Sequence, residues 1–553
     1  MKKILIIALD GATLDLIEPW AQQGQLPHLQ ALMEQGGYGR LESVLPPVTG
    51  AAWGSFQTGL LPGRHGVFDW LTRQEGSYRL SVIDSGQIRG VKLWEWLSGQ
   101  GARLGVLSVP GSYPARPING FMITDLLTPA DQPYIWPSTL QPELERAIGG
   151  RYPVMPEHWR GRYEVASWLA GLQRSLAQRA KAARYLLQSQ PWDFFMVHFM
   201  ETDTVQHQMW HLLDGQPRRR YRVRAPRGEN PILSIYRLAD QAIGELVDAL
   251  PKSQETTVLV ISDHGFGPLY YNLHLNTWLW QQGYLKLKRS WPSALKRLAF
   301  RLALTPENLY PWNERLHLLR LGRAFKEDQS YRLMRRFFLS SDNVDWPHTL
   351  AYSYGNVGQI YINRLGREPQ GCVPAWQVPR LTEELLQALR SWQNPYTGQP
   401  VVAVAYRREE LYGEAALPTA PEIVFLPAEG CTPLGLSEFL ANRPVTQPVA
   451  HSGWHHLDGV LVGRGPGLRH GRLEGLRLLD LFPSITQLLG LPTPPGLDGQ
   501  ASAGLLQGAP LPLVAAAPDG TNGANHAARP SARQRSKAEE EELRARLKGL
   551  GYL

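Results

Sequence analysis

Residues 3–11 read KILIIALDG, an unbroken aliphatic run that ends on Asp10 and Gly11. A run that is apolar at every position has no side to show to water, so it fits a strand covered by helices on both faces. Working outward, RLGVLSV (103–109), GFMIT (120–124), DFFMVHF (193–199), TVLVIS (257–262), PEIVFLP (421–427) and GVLVGRG (459–465) repeat the pattern. Between them, helical periodicity runs through 27–35, 166–188, 232–249 and 478–489, with Pro27 suited to a first helical turn and Gly36 and Gly37 to its end. Alternation of buried strands with amphipathic helices predicts an α/β protein with a mostly parallel central sheet.

At 553 residues the chain can bury a large core, and 43% hydrophobic content with 18 Trp excludes a disordered polymer. No stretch approaches the roughly 18 apolar residues needed to span a bilayer. The N-terminal MKKILIIALDG is too short for a secretory apolar region and lacks a small-residue cleavage site, so it reads as the first strand. Two cysteines, Cys372 and Cys431, exclude a disulfide framework, which makes a cytoplasmic location the expectation.

The net charge of +8 is unevenly spread. Between Lys286 and Arg336 there are 13 Lys or Arg against four acids, a local +9, so the remainder is close to neutral. RRRYRVRAPR adds six arginines between Arg218 and Arg227. Such runs attract an anionic substrate, an anionic lipid surface or nucleic acid, or are simply a solvated face. The predicted organisation is an α/β core over 1–269, an inserted basic helical cap over 270–355 and a second core portion over 356–504. A flexible Ala/Pro/Gly linker (505–535) and a C-terminal helix (536–553) follow. The cap helices, as in SALKRLAFRLAL, either lie on a membrane surface or pack on the core with their arginines at the substrate entrance. In the tail, Ser536 with Glu539 forms a capping box, and Leu543, Leu547 and Leu550 make an apolar stripe that docks on the core or on a partner.

Six metal-type side chains and one hydroxyl stand at strand ends or on adjoining turns. Asp10 and Asp263 each follow an apolar run directly, which places them at carboxyl ends of strands, where open α/β sheets bind ligands. Asp203 and His207 are four residues apart and share one face of a helical turn. His264 follows Asp263, and His455 lies in SGWHHLDG. Thr49, in PPVTGAAWG, precedes a small-residue run that can begin a helix and aim amide donors at a phosphate. Phosphoryl transfer requires a nucleophile and positive charge where oxygens gather negative charge, and two divalent ions supply the latter. Carboxylate and imidazole donors suit Zn²⁺ first and Mn²⁺ as the alternative.

Taken together, LDG, PPVTGAAWGSFQTGLLPGRHG, DTVQH, SDHGF, GWHHLDGVLVGRGPG and DLFPSITQLLGLPTPPGLDG resemble the alkaline phosphatase superfamily, in its type I phosphodiesterase and nucleotide pyrophosphatase branch. FDW, NTWLWQQGYL, YINRLGREPQG and RLKGLGYL are similar to a bacterial group described only as phosphohydrolases or phosphomutases. The resemblance implies a three-layer sandwich in which Asp203, His207 and His455 hold one ion. Asp10, Thr49, Asp263 and His264 would surround the other, with Thr49 forming a covalent phospho-enzyme. It implies His455 rather than His456, through the Gly-x-His position after Gly453, and gives His65 a supporting role in its turn.

One departure stands out. Where nucleotide-cleaving relatives carry an amide donor shortly after the HG pair, GVFDW offers Asp69, and an ionised carboxylate cannot donate to phosphate. The expected activity is therefore two-metal hydrolysis of a phosphodiester or pyrophosphate without an assured nucleotide preference. The alternatives are a phosphomonoesterase or phosphomutase, or a non-catalytic protein that binds an anionic surface. Its partner is a small phosphate ester, with no specific nucleic-acid recognition expected, and the basic cap makes a peripheral position at the membrane the further expectation. Thr49 lacks the CxPxR or SxPxR setting of sulfatases, which argues against sulfate esters.

Overall fold

The strand Lys3–Leu9 runs parallel to Phe194–Phe199 on one side and to Thr256–Ile261 on the other. In the computed structural model, which describes residues 2–74, 76–155, 157–159, 164–216, 220–221, 223–224, 226, 228, 230–251, 255–315, 335–435, 439–508 and 535–550, these three strands sit at the middle of a ten-stranded sheet. Leu104–Leu107 and Gly120–Ile123 extend the parallel set beyond Phe194–Phe199. Beyond Thr256–Ile261 the strands Asp458–Arg464 and Gly37–Glu42 follow, each antiparallel to its inner neighbour.

Period-two alternation divides the first strand between two cores. Leu5, Ile7 and Leu9 face the helices Leu14–Gln22, Pro27–Gln35, Val165–Ser189 and Pro231–Asp248, while Ile4, Ile6 and Ala8 face Thr49–Thr58, Leu93–Gly99 and Leu481–Leu489. The result is the expected α/β sandwich of helix, sheet and helix layers. Burying both faces of a sheet this wide contributes a large apolar driving force for folding.

Two of the expected strands form but lie outside the parallel set. Ile423–Pro427 does not join the central sheet but lies between Gln359–Ile362 and Val402–Arg407 in a separate four-stranded antiparallel sheet. Its apolar composition reports burial, and burial does not specify which sheet. Asp458–Arg464 is in the central sheet but antiparallel to both neighbours, since it follows directly on the strand Gly453–His456 beside the site rather than on a crossover helix.

From Tyr271 to Thr446 the chain leaves the central sheet and builds its own cluster, in which Leu273, Trp278 and Leu285 meet Ile360, Leu385, Phe425 and Val445. This unit contains strands as well as helices and continues past residue 355. Most of the arginine cluster 218–227, part of the basic stretch at 316–334 and most of the stretch expected as a linker fall outside the described residues. Arg220 is described, and it pairs with Glu307 Oε1 at 3.1 Å, joining the two units.

The helix Lys537–Leu550 docks on the core. Leu543, Leu547 and Leu550 are buried with Trp70, Val82, Ile83 and Met200. Its start carries the expected capping box, with Ser536 N donating to Glu539 Oε2 at 2.8 Å and Glu539 N to Ser536 Oγ at 3.2 Å.

Candidate active site

Asp10 stands one residue beyond its strand, and Gly11 turns the chain there with φ +63°, a conformation open to glycine at little cost. A Cβ on Gly11 would also lie 3.2 Å from Asp203 Oδ1, so the turn brings the two aspartates together. Asp203 and His207 lie on the helix Glu201–Met209, directly after the strand Phe194–Phe199. Asp263 and His264 follow the strand Thr256–Ile261. His455 arrives from far along the chain, through antiparallel pairing of Gly265–Pro268 with Gly453–His456 that sets His455 opposite Phe266. Gly265 is required for closeness rather than for an unusual φ, since a Cβ there would lie 1.9 Å from Asp458 O.

All seven residues are buried and meet at two adjoining points. At the first, Asp203 Oδ1 is 3.4 Å from His207 Nε2 and 3.2 Å from His455 Nε2, and the two imidazole nitrogens are 3.1 Å apart. The far sides of both rings approach backbone carbonyls, His207 Nδ1 that of Gly453 at 3.3 Å and His455 Nδ1 that of Pro47 at 3.2 Å. A ring that donates there from Nδ1 presents Nε2 as a lone pair to the centre. At the second point His264 Nε2 is 3.3 Å from Thr49 Oγ1, 3.6 Å from Asp10 Oδ1 and 3.4 Å from Asp263 Oδ2. His264 also stacks on His455 with centroids 3.8 Å apart, so the two points share a wall. His456 turns away, its ring packed over Gly267.

Electrostatics sharpen this grouping. Burial, and then repulsion from Asp263 and Asp203, push the Asp10 carboxyl well above its usual range. Burial also raises Asp263, against the opposing pull of His264. Burial alone would raise Asp203 too, but His207 and His455 hold it well below the carboxylate range. Asp10 Oδ1 and Asp263 Oδ2 accept no hydrogen bond from the described residues. Buried carboxylate oxygens without donors, converging with imidazole nitrogens, fit divalent cations of the borderline class and are costly otherwise.

Thr49 opens the helix Thr49–Thr58 after Val48, as the small-residue run requires, and its hydroxyl faces the second point. The amides of that first turn have no acceptor within the helix and point the same way. His65 has the supporting role expected of it: its Nε2 meets Ser55 Oγ at 3.0 Å, its Nδ1 accepts from Val67 N, and burial lowers it to about 3.

Three participants escaped sequence reasoning. His198 Nε2 lies 2.7 Å from Asp10 Oδ2, and Trp53 Nε1 donates to the same oxygen at 3.2 Å. His451 places its ring 5.5 Å from that of His207. The usable signal was a single histidine inside the otherwise apolar FFMVHF, and for Trp53 its position one helical turn after Thr49. Asp69, where an amide donor was looked for, is buried and spends both oxygens on backbone N–H groups, Oδ1 on Trp70 and Oδ2 on Asn356. It ties the 355–356 loop to the segment beside the Thr49 helix.

Comparison with solved structures gives the same fold. Phosphonoacetate hydrolase of Sinorhizobium meliloti is 15% identical, with 88% of this chain and 95% of that one covered at a TM-score of 0.50. Human ectonucleotide pyrophosphatase/phosphodiesterase 5 is 13% identical, with 90% and 97% covered, at a TM-score of 0.45. No curated protein matches the sequence. The family model for type I phosphodiesterase/nucleotide pyrophosphatase matches residues 4–436, a span that holds six of the seven clustered residues. The chain belongs to the type I phosphodiesterase/nucleotide pyrophosphatase family and is a phosphohydrolase.

Proposed function

We propose that the chain hydrolyses a phosphodiester or pyrophosphate bond through a covalent intermediate on Thr49, with two divalent cations, Zn²⁺ before Mn²⁺. The observation that carries this reading is the convergence of Thr49 Oγ1, His264 Nε2 and the donor-free oxygens of Asp10 and Asp263 at one buried point. Asp203, His207 and His455 would hold one cation. Asp10, Asp263, His264 and Thr49 would hold the other. When bound, such cations lower the pKa of a hydroxyl and neutralise charge gathering on phosphoryl oxygens.

The chain's own residues do the remainder. Thr49 Oγ1 attacks phosphorus and loses its proton to solvent, while the bond from phosphorus to the leaving oxygen breaks. Helix-terminal amides orient the phosphoryl oxygens. Water then attacks phosphorus, and Thr49 Oγ1 leaves and regains a proton. His198 and Trp53 keep Asp10 in one orientation throughout. The two free cysteines, Cys372 and Cys431, accord with a reducing, cytoplasmic setting for this activity.

A panel of one diester, one pyrophosphate, one monoester and one sugar phosphate, assayed alongside metal analysis of the purified protein, tests the reading. Turnover of diester or pyrophosphate with two bound cations per chain is expected. Preference for the monoester, or phosphoryl transfer between sugars without net phosphate release, would replace it with a phosphomonoesterase or a phosphomutase.

A further inference from the structure

The helix Trp291–Arg301 is attached by the face that its composition would least suggest. Ser293 and Phe300 are buried against the protein, whereas Trp291, Leu295 and Leu298 are 76%, 51% and 55% exposed, and Leu302 just beyond the helix is 66% exposed. Steps of four, three and four residues keep these side chains in one narrow stripe at about 100° per residue, roughly 16 Å long. The outward face is not an accident of loose attachment. Asn343 Nδ2 donates to Ser293 Oγ at 3.1 Å, and Lys296 Nζ reaches back to Arg335 O at 2.5 Å. Leu304 and Phe337 add exposed apolar surface nearby, at 51% and 61%. Lys286, Lys288, Arg289, Arg301 and Arg336 are exposed around it.

An apolar stripe rimmed by cations is a docking surface, and its charge selects the occupant. We propose that this face binds an anionic lipid surface, with the basic residues on headgroup phosphates and the Trp291–Leu302 stripe at the acyl boundary. A second copy of the chain would set the exposed cations Lys286, Lys288, Arg289, Arg301 and Arg336 against their own kind, and a nucleic acid would leave the leucines without a partner. No described helix is long and apolar enough to cross a membrane, so the contact is peripheral. This inference stands apart from the hydrolytic reading and needs no catalysis for its test.

The full-length protein is sedimented with vesicles of phosphatidylcholine alone and of phosphatidylcholine with phosphatidylglycerol. Binding to the anionic vesicles at least about tenfold tighter than to the neutral ones, weakening as salt rises, is expected. The double variant Trp291→Ser/Leu298→Ser should lose at least about tenfold of that binding at an unchanged melting temperature, because both side chains already face water. Equal binding of parent and variant would overturn the proposal. So would no binding to either vesicle, tighter binding to single-stranded RNA, or a dimer that the double variant dissolves.

Discussion

His198 Nε2 lies 2.7 Å from Asp10 Oδ2, and Trp53, whose ring meets that of His198 edge-on with centroids 5.2 Å apart, donates to the same oxygen. With one carboxylate oxygen held twice, the other can point only toward His264 and Asp263. Burial, and then the nearby Arg179, push the His198 imidazole well below its usual range, so it is a neutral ring that can donate to Asp10 once a bound cation keeps that carboxylate ionised. His198→Ala should therefore weaken cation binding about 10- to 100-fold, as loss of a partner behind a ligand does, with a smaller loss in His198→Gln. Titration calorimetry with Zn²⁺ and Mn²⁺ reads this directly, and unchanged affinity in His198→Ala would remove its positioning role.

Removing metal should have a pH signature. In the cation-free protein the Asp10 carboxyl is raised by burial and by its carboxylate neighbours, so the folded state holds a proton that the unfolded chain has already lost. Stability tied to Asp10 is therefore present at low pH and is lost as pH rises through its folded pKa. A cation requires the deprotonated ligand, so the stabilisation it provides should grow with pH. Melting temperatures with chelator and with added Zn²⁺, compared between about pH 5.5 and pH 7.5, should diverge as pH increases.

Asp69 offers a second pH test away from the cations. Burial raises it to about 6, above the roughly 3.9 of an unfolded aspartate. Ionising it in the fold costs about 2–3 kcal/mol, and that loss appears as pH rises from about 4 to about 7. Asp69→Asn removes the ionisation while losing a backbone acceptor to Trp70 or Asn356, a loss of about 1 kcal/mol. The variant should be the less stable protein near pH 4 and the more stable one, by about 1–2 kcal/mol, near pH 8 in urea denaturation.

The docked C-terminal helix should contribute to stability. Leu547 is fully buried among residues that include Ile83 and Met200, and Ile83 reaches within van der Waals range of the Cβ position of Gly50. Leu547→Ala should cost about 2–4 kcal/mol in chemical denaturation, and Lys537→Ala, on an exposed side chain, close to nothing.

Much of this was legible because the decisive signals are local. An apolar run ending in Asp places that Asp at a strand terminus, and a four-residue spacing puts Asp203 and His207 on one helical face. Thr49 was readable from the small-residue run after it. What escaped depends on distant pairing. His455, which reaches the site only because 453–456 pairs with 265–268, was legible through the family resemblance alone, and no local pattern reveals that His198 touches Asp10 across two adjacent strands. The run at 423–427 looked like its central-sheet counterparts because continuous apolarity records burial alone. For the helix Trp291–Arg301 the amphipathic pattern was clear, but which face meets the protein was decided by Ser293, Phe300 and their neighbours.

The most direct test of a phospho-threonine mechanism is to quench the protein in acid during turnover, digest it and weigh the peptide that carries residue 49. The parent should show that peptide heavier by one phosphoryl group, and Thr49→Ala should show neither the adduct nor turnover while still binding its cations. Hydrolysis by Thr49→Ala at the parental rate, with no modified peptide in either protein, would contradict the account.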